Sequence, residues 1–251
     1  MHASDLPEIR HLLLFRTISD ANFELLVRHA YAQTFPAGLE LVRQGDPADF
    51  LHIVMQGMVE LYASWAERQC TMAIVRPVGS FILAACIKDA PYLMSARTIE
   101  RSRVILIPAA DLRVAFRNDG EFALSVITEL AGAYRSVVRH AKGLKLRTSR
   151  ERIASYLLGQ VQRAGDVSSF VLPIEKRHLA SYLGMTAENL SRALRSLEPD
   201  GVTLKGARVI VTDRARLTRL ARPDPLLDGP DPENLAADAS LPGPRIDLPA
   251  A

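Results

Sequence analysis

The pattern of hydrophobic and polar positions separates a first half with short apolar runs from a second half with helical periods. Between about residues 34 and 107, short apolar runs alternate with turn residues such as those around Gly45 and Gly57. Several short strands at regular spacing are typical of a small antiparallel barrel or jelly roll. Residues 6–32 are predicted to form short helices. We therefore predict an α+β fold that begins with an antiparallel β-roll over residues 1–118.

A heptad pattern of apolar residues follows Gly120. The steps alternate between four and three residues, which is typical of the seam of a coiled coil. An ordinary amphipathic helix is the alternative, because the pattern is short. We predict a helix over residues 119–145 that pairs two copies of the chain in parallel through Ala123, Ile127, Leu130, Tyr134, Val137, Ala141 and Leu144.

Residues 146–220 carry the pattern of a winged helix-turn-helix. A helix over residues 151–162 precedes two short helices that meet at Gly184, and Thr186 is a good N-cap for the second of them. Two apolar runs flanking residues 205–208 predict a hairpin wing with a basic tip. The core of the motif is predicted to contain Leu179, Leu183, Met185, Leu190, Leu194 and Leu197.

The second short helix carries three polar side chains on one stripe. Glu188, Ser191 and Arg192 are three and four residues apart, so they emerge side by side on a helix. Arg can bond guanine through two acceptors, Glu can accept from the cytosine amino group, and Ser can serve either base. We predict that these three residues read base edges in a DNA major groove. Backbone or supporting contacts are predicted for Thr186, Asn189, Arg195, Lys176, Arg177, Lys205 and Arg208.

Basic charge is concentrated in the segment that holds this motif. The whole chain of 251 residues has a net charge of +3, but residues 143–222 carry 15 Lys or Arg against 7 Asp or Glu. Residues 1–142 are balanced, with 15 of each sign. A basic segment of this kind is what a DNA-binding module requires. Residues 221–251 hold seven of the 15 prolines and are predicted to be a disordered acidic tail.

Composition also limits the compartment and the class of protein. No apolar run approaches the roughly 20 residues that a membrane-spanning helix needs, and the N-terminus shows no signal peptide. Two cysteines, Cys70 and Cys86, provide no disulfide framework. We expect a cytoplasmic protein with no membrane partner.

This order of parts resembles the CRP/FNR superfamily of bacterial transcription regulators over about residues 12–220. The most specific match is residues 183–192, Leu-Gly-Met-Thr-Ala-Glu-Asn-Leu-Ser-Arg, and the turns at residues 44–46 and 56–57 match the β-roll. The recognition helix looks like the FNR and nitrogen-oxide-regulator branches, and the whole chain looks like regulators labelled FtrB. The resemblance implies a homodimer that binds double-stranded DNA at a palindrome with TTGAT-like half-sites and that contacts RNA polymerase.

The effector side departs from the cyclic-AMP receptors of that superfamily, in which a Gly-Glu pair and a later Arg hold the ribose and the cyclic phosphate. Alignment puts Leu83 and Ala84 at the Gly-Glu positions and Met94 at the Arg position, and Arg97 is predicted to lie on the opposite face. A buried phosphate without a cation is strongly unfavourable. We expect no cyclic-AMP binding of the usual kind. The remaining apolar pocket, which would hold an apolar ligand, a haem or its own side chains, is predicted to contain Phe81, Ile82, Leu83 and Met94.

Metal cofactors are only partly constrained by the sequence. An iron–sulfur cluster is disfavoured, because cluster-binding members need four thiolates and the chain has two cysteines. Haem stays open, with Cys86, His52, His11 and His2 as available ligands. However, Cys86 fits a small buried hydrophobe, and His52 fits a solvent-side or hydrogen-bonded strand residue. Cys70 is expected to be exposed, with redox sensing as the alternative role.

Two other functions are alternatives to a signal-controlled transcription regulator. A cupin-like enzyme would need clustered His and Glu ligands, but residues 34–107 contain one His. A ligand-independent DNA-binding protein would not need a sensor-sized neutral domain joined through a heptad helix. We predict a homodimeric transcription regulator that is not an enzyme. A hinge near residues 145–149 would let a signal in the roll re-aim the reading helices.

Overall fold

The computed structural model describes residues 5–229, which form two compact units, residues 5–135 and residues 136–229. The first unit opens with α1 (Asp5–Arg10), a 3-10 turn (Leu13–Phe15) and α2 (Asp20–Arg28). Eight strands follow: β1 (Tyr31–Phe35), β2 (Glu40–Val42), β3 (Phe50–Gln56), β4 (Val59–Trp65), β5 (Arg68–Val75), β6 (Gly79–Phe81), β7 (Ser95–Thr98) and β8 (Ser102–Pro108). The helices of the same region are α3 (Leu83–Lys88), α4 (Ala109–Asn118) and α5 (Gly120–Leu146).

The eight strands form two antiparallel sheets of four strands, in the orders β1-β8-β3-β6 and β2-β7-β4-β5. Ile53 from the first sheet and Leu61 from the second belong to one buried cluster, which Leu26, Leu112 and Phe122 join from the helices. The β-roll predicted from the short apolar runs is thereby confirmed. The runs were informative because the strands contribute apolar side chains to this common core, and β3 is buried at five consecutive positions.

The long helix α5 begins at a well-defined capping site. The Asp119 carboxylate accepts hydrogen bonds from the Asn22 amide (3.0 Å), the Phe122 backbone N–H (3.0 Å) and the Ser19 backbone N–H (2.9 Å). These bonds, with that from Asn22 the largest contribution, hold the pKa of Asp119 far below its usual range. This cap explains where the helix begins. The predicted bounds, residues 119–145, differ from the observed bounds by one residue at each end.

The second unit contains α6 (Ser149–Arg163), α7 (Lys176–Tyr182), α8 (Ala187–Arg195), α9 (Arg214–Ala221) and α10 (Pro225–Asp228). A three-stranded antiparallel sheet in the order β10-β11-β9 completes it, with β9 (Ser169–Val171), β10 (Val202–Lys205) and β11 (Arg208–Val211). Helix α6 begins at a capping box, in which Thr148 and Glu151 bond each other's backbone N–H groups. No helix among residues 5–229 combines the length and the apolar character needed to cross a membrane.

The start of the C-terminal tail differs from the prediction. The prediction is a disordered tail over residues 221–251, but the described residues of this segment, 221–229, contain the helix α10. Asp224 caps this helix by accepting from the Leu226 N–H at 2.7 Å, and Asp228 pairs with Arg147. Composition alone does not predict this order, because it cannot show that Asp228 will bind Arg147, which is 81 residues away in the sequence. The rest of the predicted tail, residues 230–251, and His2 lie outside the described residues.

Candidate nucleic-acid interface

Helices α7 and α8 and the turn between them form the expected helix-turn-helix. The turn passes through Gly184, whose φ of +65° lies in the left-handed region that glycine adopts without strain. The Thr186 hydroxyl accepts from the Asn189 backbone N–H at 3.2 Å and thereby caps α8. Leu190 and Leu194 anchor the helix in the core of the unit. The opposite face of α8 is consequently left to solvent.

The outward face of α8 carries an exposed ion pair. Arg192 and Glu188 lie one helical turn apart, with Nη2 and Oε2 separated by 3.6 Å, and their side chains are 75% and 82% exposed. At about 100° per residue, Arg192 points almost directly away from Leu190 and Leu194. An ion pair this exposed contributes little to stability. Breaking it to form hydrogen bonds with base edges therefore costs little.

Ser191 borders a cleft between α8 and the wing. Its hydroxyl donates to the Ala187 carbonyl oxygen at 2.9 Å, which leaves the oxygen lone pairs available as acceptors. The cleft has a volume of about 330 Å³. It is lined by Lys176, Ser191, Leu194, Arg195, Glu198, Val202, Thr203, Leu204 and Gly206. Three of the predicted DNA-contacting residues, on two different helices, therefore surround one opening.

The other predicted backbone contacts lie outside this cleft lining. Lys205 and Arg208 face each other across the wing hairpin and are exposed. Arg177 is exposed as well, and its Nε lies 2.8 Å from the Glu175 carboxylate. The remaining supporting residue, Asn189, is exposed on the first turn of α8. The basic side chains are thus spread from the cleft to the wing tip.

The predicted seam on α5 is only partly exposed. Ile127, Tyr134 and Val137 have exposures of 56%, 70% and 64%. Ala123 and Ala141 are half-buried, and so is Leu130, which packs against the core of its own roll. Additional exposed apolar residues lie beside the predicted stripe, at Leu124 and Val138. Phe122 and Val126 are buried and attach this part of α5 to its own roll. The exposed Leu124 and Val138 each lie one position after a residue of the predicted seam.

The residues predicted to line an effector pocket pack into the core of the roll. Phe81 and Leu83 are buried, and Ile82 and Met94 are partly buried against the same cluster. Leu83 opens α3, which is bounded by two residues with positive φ, Ile82 at +68° and Asp89 at +55°. A branched residue such as Ile82 rarely adopts this conformation, so the backbone is strained where the predicted effector segment begins.

His52 and Cys86 are buried within the roll. His52 does not lie on the solvent side: its side chain is buried and stacks on Phe81 with ring centroids 4.9 Å apart. The ring keeps a hydrogen bond with the backbone of Phe50, the other expected alternative, while its Nδ1 has no partner among the described residues. Burial lowers the pKa of His52 to about 4. Burial likewise raises the pKa of the Cys86 thiol to about 12, while Cys70 and His11 are exposed. Residues 5–229 contain no group of three His, Cys, Asp or Glu side chains placed to hold a metal ion.

Arg97 is committed to the opposite face of its strand, as predicted. Its Nε donates to Glu60 at 2.6 Å, and its guanidinium lies 4.5 Å from the centre of the Tyr62 ring. The preceding residue, Ala96, belongs to the core cluster, and successive strand residues alternate between faces. Arg97 therefore does not replace the missing phosphate-binding arginine.

A contact that spacing alone did not indicate joins α6 to the helix-turn-helix. Arg152 donates from Nε to the Leu183 carbonyl oxygen at 2.9 Å and from Nη1 to the Arg147 carbonyl oxygen at 2.8 Å. Arg152 thereby satisfies backbone acceptors both at the end of α7 and at the junction between α5 and α6. No local pattern marks this role, because both acceptors are backbone atoms.

Two family models match this chain. The model of the cyclic nucleotide-binding domain matches residues 32–119, and that of the Crp-like helix-turn-helix domain matches residues 151–220. Together with the regulators described next, these matches are decisive. The chain belongs to the CRP/FNR superfamily. It is a DNA-binding transcription regulator with the predicted order of β-roll, long helix and helix-turn-helix. The narrower FtrB-like assignment stays a prediction.

Transcription regulators of two other bacteria align over most of the chain. The CRP-like cAMP-activated global transcriptional regulator of Mycobacterium tuberculosis is 24% identical over 83% of this chain and 96% of its own length. The transcriptional activator protein FnrL of Cereibacter sphaeroides is 27% identical over 86% and 90%. Among solved structures, FixK2 of Bradyrhizobium japonicum has a TM-score of 0.67 and 26% identity over 76% of this chain and 96% of its own.

Proposed function

We propose that this regulator binds a palindromic DNA site as a homodimer and that a signal sensed in its β-roll controls this binding. The observation that supports the proposal most strongly is the outward face of α8, where Arg192 and Glu188 extend into solvent on a helix anchored by Leu190 and Leu194. A helix held in this way can enter a major groove without losing its own core contacts.

Base reading and backbone binding are divided between two groups of residues. Arg192 reads guanine, Glu188 accepts from an amino group on the paired strand, and Ser191 supports a base or a phosphate. Phosphate contacts position the helix without specifying sequence. This second group comprises Thr186, Asn189, Arg195, Lys176, Arg177, Lys205 and Arg208, of which Lys176 and Arg195 line the cleft beside Ser191.

Dimerisation takes place through the exposed apolar stripe of α5. Ile127, Tyr134 and Val137 from the predicted seam, together with Leu124 and Val138, present apolar surface on a single helix. A second copy of this chain is the occupant, because Leu124, Ile127, Tyr134 and Val138, with the exposed Ala131 among them, are separated by alternating steps of three and four residues. A parallel coiled coil buries this spacing. Two copies would then place two reading helices about one DNA turn apart.

The signal is not cyclic AMP bound in the usual way. Ala84 and Met94 stand where the cyclic-AMP receptors place their Glu and Arg, and Met94 packs against the core. A structural change in the roll would reach α8 through the junction at residues 145–149. DNA-bound dimers would act on transcription through contact with RNA polymerase.

The proposal is tested by selecting binding sites from random DNA with the full-length protein. Wild type should select two inverted half-sites about 10 base pairs apart. Arg192→Ala should lose about 1–3 kcal/mol of discrimination at the guanine position. Arg219→Ala, which removes an exposed arginine from α9, is the matched control and should keep the wild-type preference. An unchanged preference in Arg192→Ala, or a single half-site in wild type, would contradict the proposal.

A further inference from the structure

Residues 222–229, called the C-terminal strap, follow directly after the segment that matches the helix-turn-helix family model. The strap contains α10 and lies within the same compact unit as the end of α5 and the whole of α6. Asp224 accepts from the Leu226 N–H, and its own N–H donates to the Asp228 carboxylate at 2.9 Å. These local bonds give the strap a defined shape.

The strongest contact of the strap is a two-pronged ion pair with Arg147, the residue between α5 and the N-cap of α6. Arg147 donates from Nη1 and Nη2 to the two carboxylate oxygens of Asp228, at 2.6 and 2.5 Å. The Arg147 side chain is only 10% exposed. Two parallel charge-assisted bonds to a partly buried guanidinium are among the stronger polar contacts in proteins. Burial by itself raises the pKa of Asp228, but the bonds from Arg147 and Ser155 outweigh it and the net shift is downward.

Two further bonds attach the strap to the helices on both sides of the junction. On α6, the Ser155 hydroxyl donates to the Asp228 carboxylate at 2.6 Å. On α5, Arg139 donates to the Gly229 carbonyl oxygen at 2.6 Å. Because Asp228 and Gly229 are neighbours in the chain, α5 and α6 are tied to the same point. A large change in the angle between these helices would therefore strain or break these bonds.

We propose that the C-terminal strap locks the angle between α5 and α6 and so governs how a signal reaches the DNA-binding helices. Helix α6 packs against α8, and Arg152 joins α6 to the end of α7, so the orientation of α6 sets that of the reading helix. The lock itself follows from contacts within one unit. Its regulatory consequence rests on the proposed function.

The lock is tested by backbone hydrogen exchange in the full-length protein. Asp228→Asn should speed exchange across residues 144–152 by about tenfold or more, because the charge-assisted bonds to Arg147 are lost. Asp166→Asn is the matched control, since it too removes one carboxylate that pairs with an arginine. Its partner, Arg214, lies 2.8 Å away and is exposed, unlike Arg147. Asn tolerates the positive φ of residue 166. Wild-type exchange in Asp228→Asn would overturn the proposal.

A milder variant protects the experiment against loss of folding. Ser155→Ala removes the hydroxyl that donates to Asp228 and accepts from Arg147 Nη1 at 3.0 Å, but it leaves the ion pair between Arg147 and Asp228 in place. The residue lies inside α6, where alanine favours the helix. It should speed exchange over the same residues, by less than Asp228→Asn does. Faster exchange throughout the second unit would instead indicate general destabilisation and would count against a local lock.

Affinity for the selected DNA site tests the regulatory part. Asp228→Asn should change it about 5–150-fold relative to Asp166→Asn, the usual range of coupling between sites. Both variants lose one negative charge, so the general electrostatic gain in DNA binding cancels between them. Faster junction exchange with unchanged affinity would overturn the regulatory role and leave the lock. If wild type bound no DNA, the proposed function would fail while the exchange result still decided the lock.

Discussion

The outer face of α8 and the interior of the β-roll place their functional candidates in opposite physical settings. On α8, two buried leucines hold the helix, and Arg192 and Glu188 stand in solvent. In the roll, Phe81 and Leu83 are themselves part of the core. A DNA-reading surface can stay open, because phosphates and bases complete its polar interactions. A ligand chamber needs core side chains to be held apart, against the tendency of interiors to close-pack.

The two candidate sites depend on separate sets of contacts. In the roll, Leu83 is buried and Met94 packs against the core, whereas Ala84 is exposed on α3. The cap of α8, its leucine anchors and its exposed Arg192 are unaffected, because they depend on contacts within the second unit. The exposed face of α8 therefore does not depend on which side chains fill the roll.

The largest expected effect concerns stability. Phe81→Ala should cost about 3–5 kcal/mol of unfolding free energy, because it removes a ring that is 4% exposed and packed on His52. Arg192→Ala, on the open surface, should change stability by less than about 0.5 kcal/mol. Denaturant unfolding of both variants measures the contrast. A Phe81→Ala protein as stable as wild type would mean that the ring borders an open chamber and not a packed core.

A somewhat smaller effect is expected from pH. Burial lowers the pKa of His52 to about 4 from 6.5. Between about pH 6.5 and pH 4, His52 is therefore protonated in the unfolded chain but neutral in the folded chain. The free energy of unfolding consequently falls as the pH drops through this range. The loss is about 3 kcal/mol at most. His52→Leu should remove this component from the pH dependence of the unfolding free energy. His11→Gln, at an exposed site, should retain it, and equal pH profiles for wild type and His52→Leu would contradict the assignment.

The smallest expected effect is none at all. Millimolar cyclic AMP should leave the melting temperature of this protein unchanged, since ligand binding to the folded state would raise it by mass action. The cAMP-activated relative from Mycobacterium tuberculosis serves as the positive control for the assay. A dose-dependent rise in the melting temperature would show that the roll opens to admit the nucleotide, and the contrast between the two regions would disappear.

The parts that could be predicted are those with local physical signatures. The Thr186 cap and the Gly184 turn were visible because each depends on the residue itself and on its immediate neighbours. The solvent-side alternative for His52 was wrong because alternation along β3 does not reveal that both faces of that strand are covered. The same limit applied to Leu130 on α5, where an apolar period cannot distinguish the chain's own core from a partner's surface.

Residue types and their spacing alone determined the order of the parts and the polar stripe on α8, because turns, caps and helical stripes are short-range properties. Only the tertiary structure decided that the effector segment is packed, that Arg97 is paired with Glu60, and that Asp228 closes on Arg147 from 81 residues away. Such contacts depend on which distant groups share a low-solvent environment, and that environment exists only after the chain has folded.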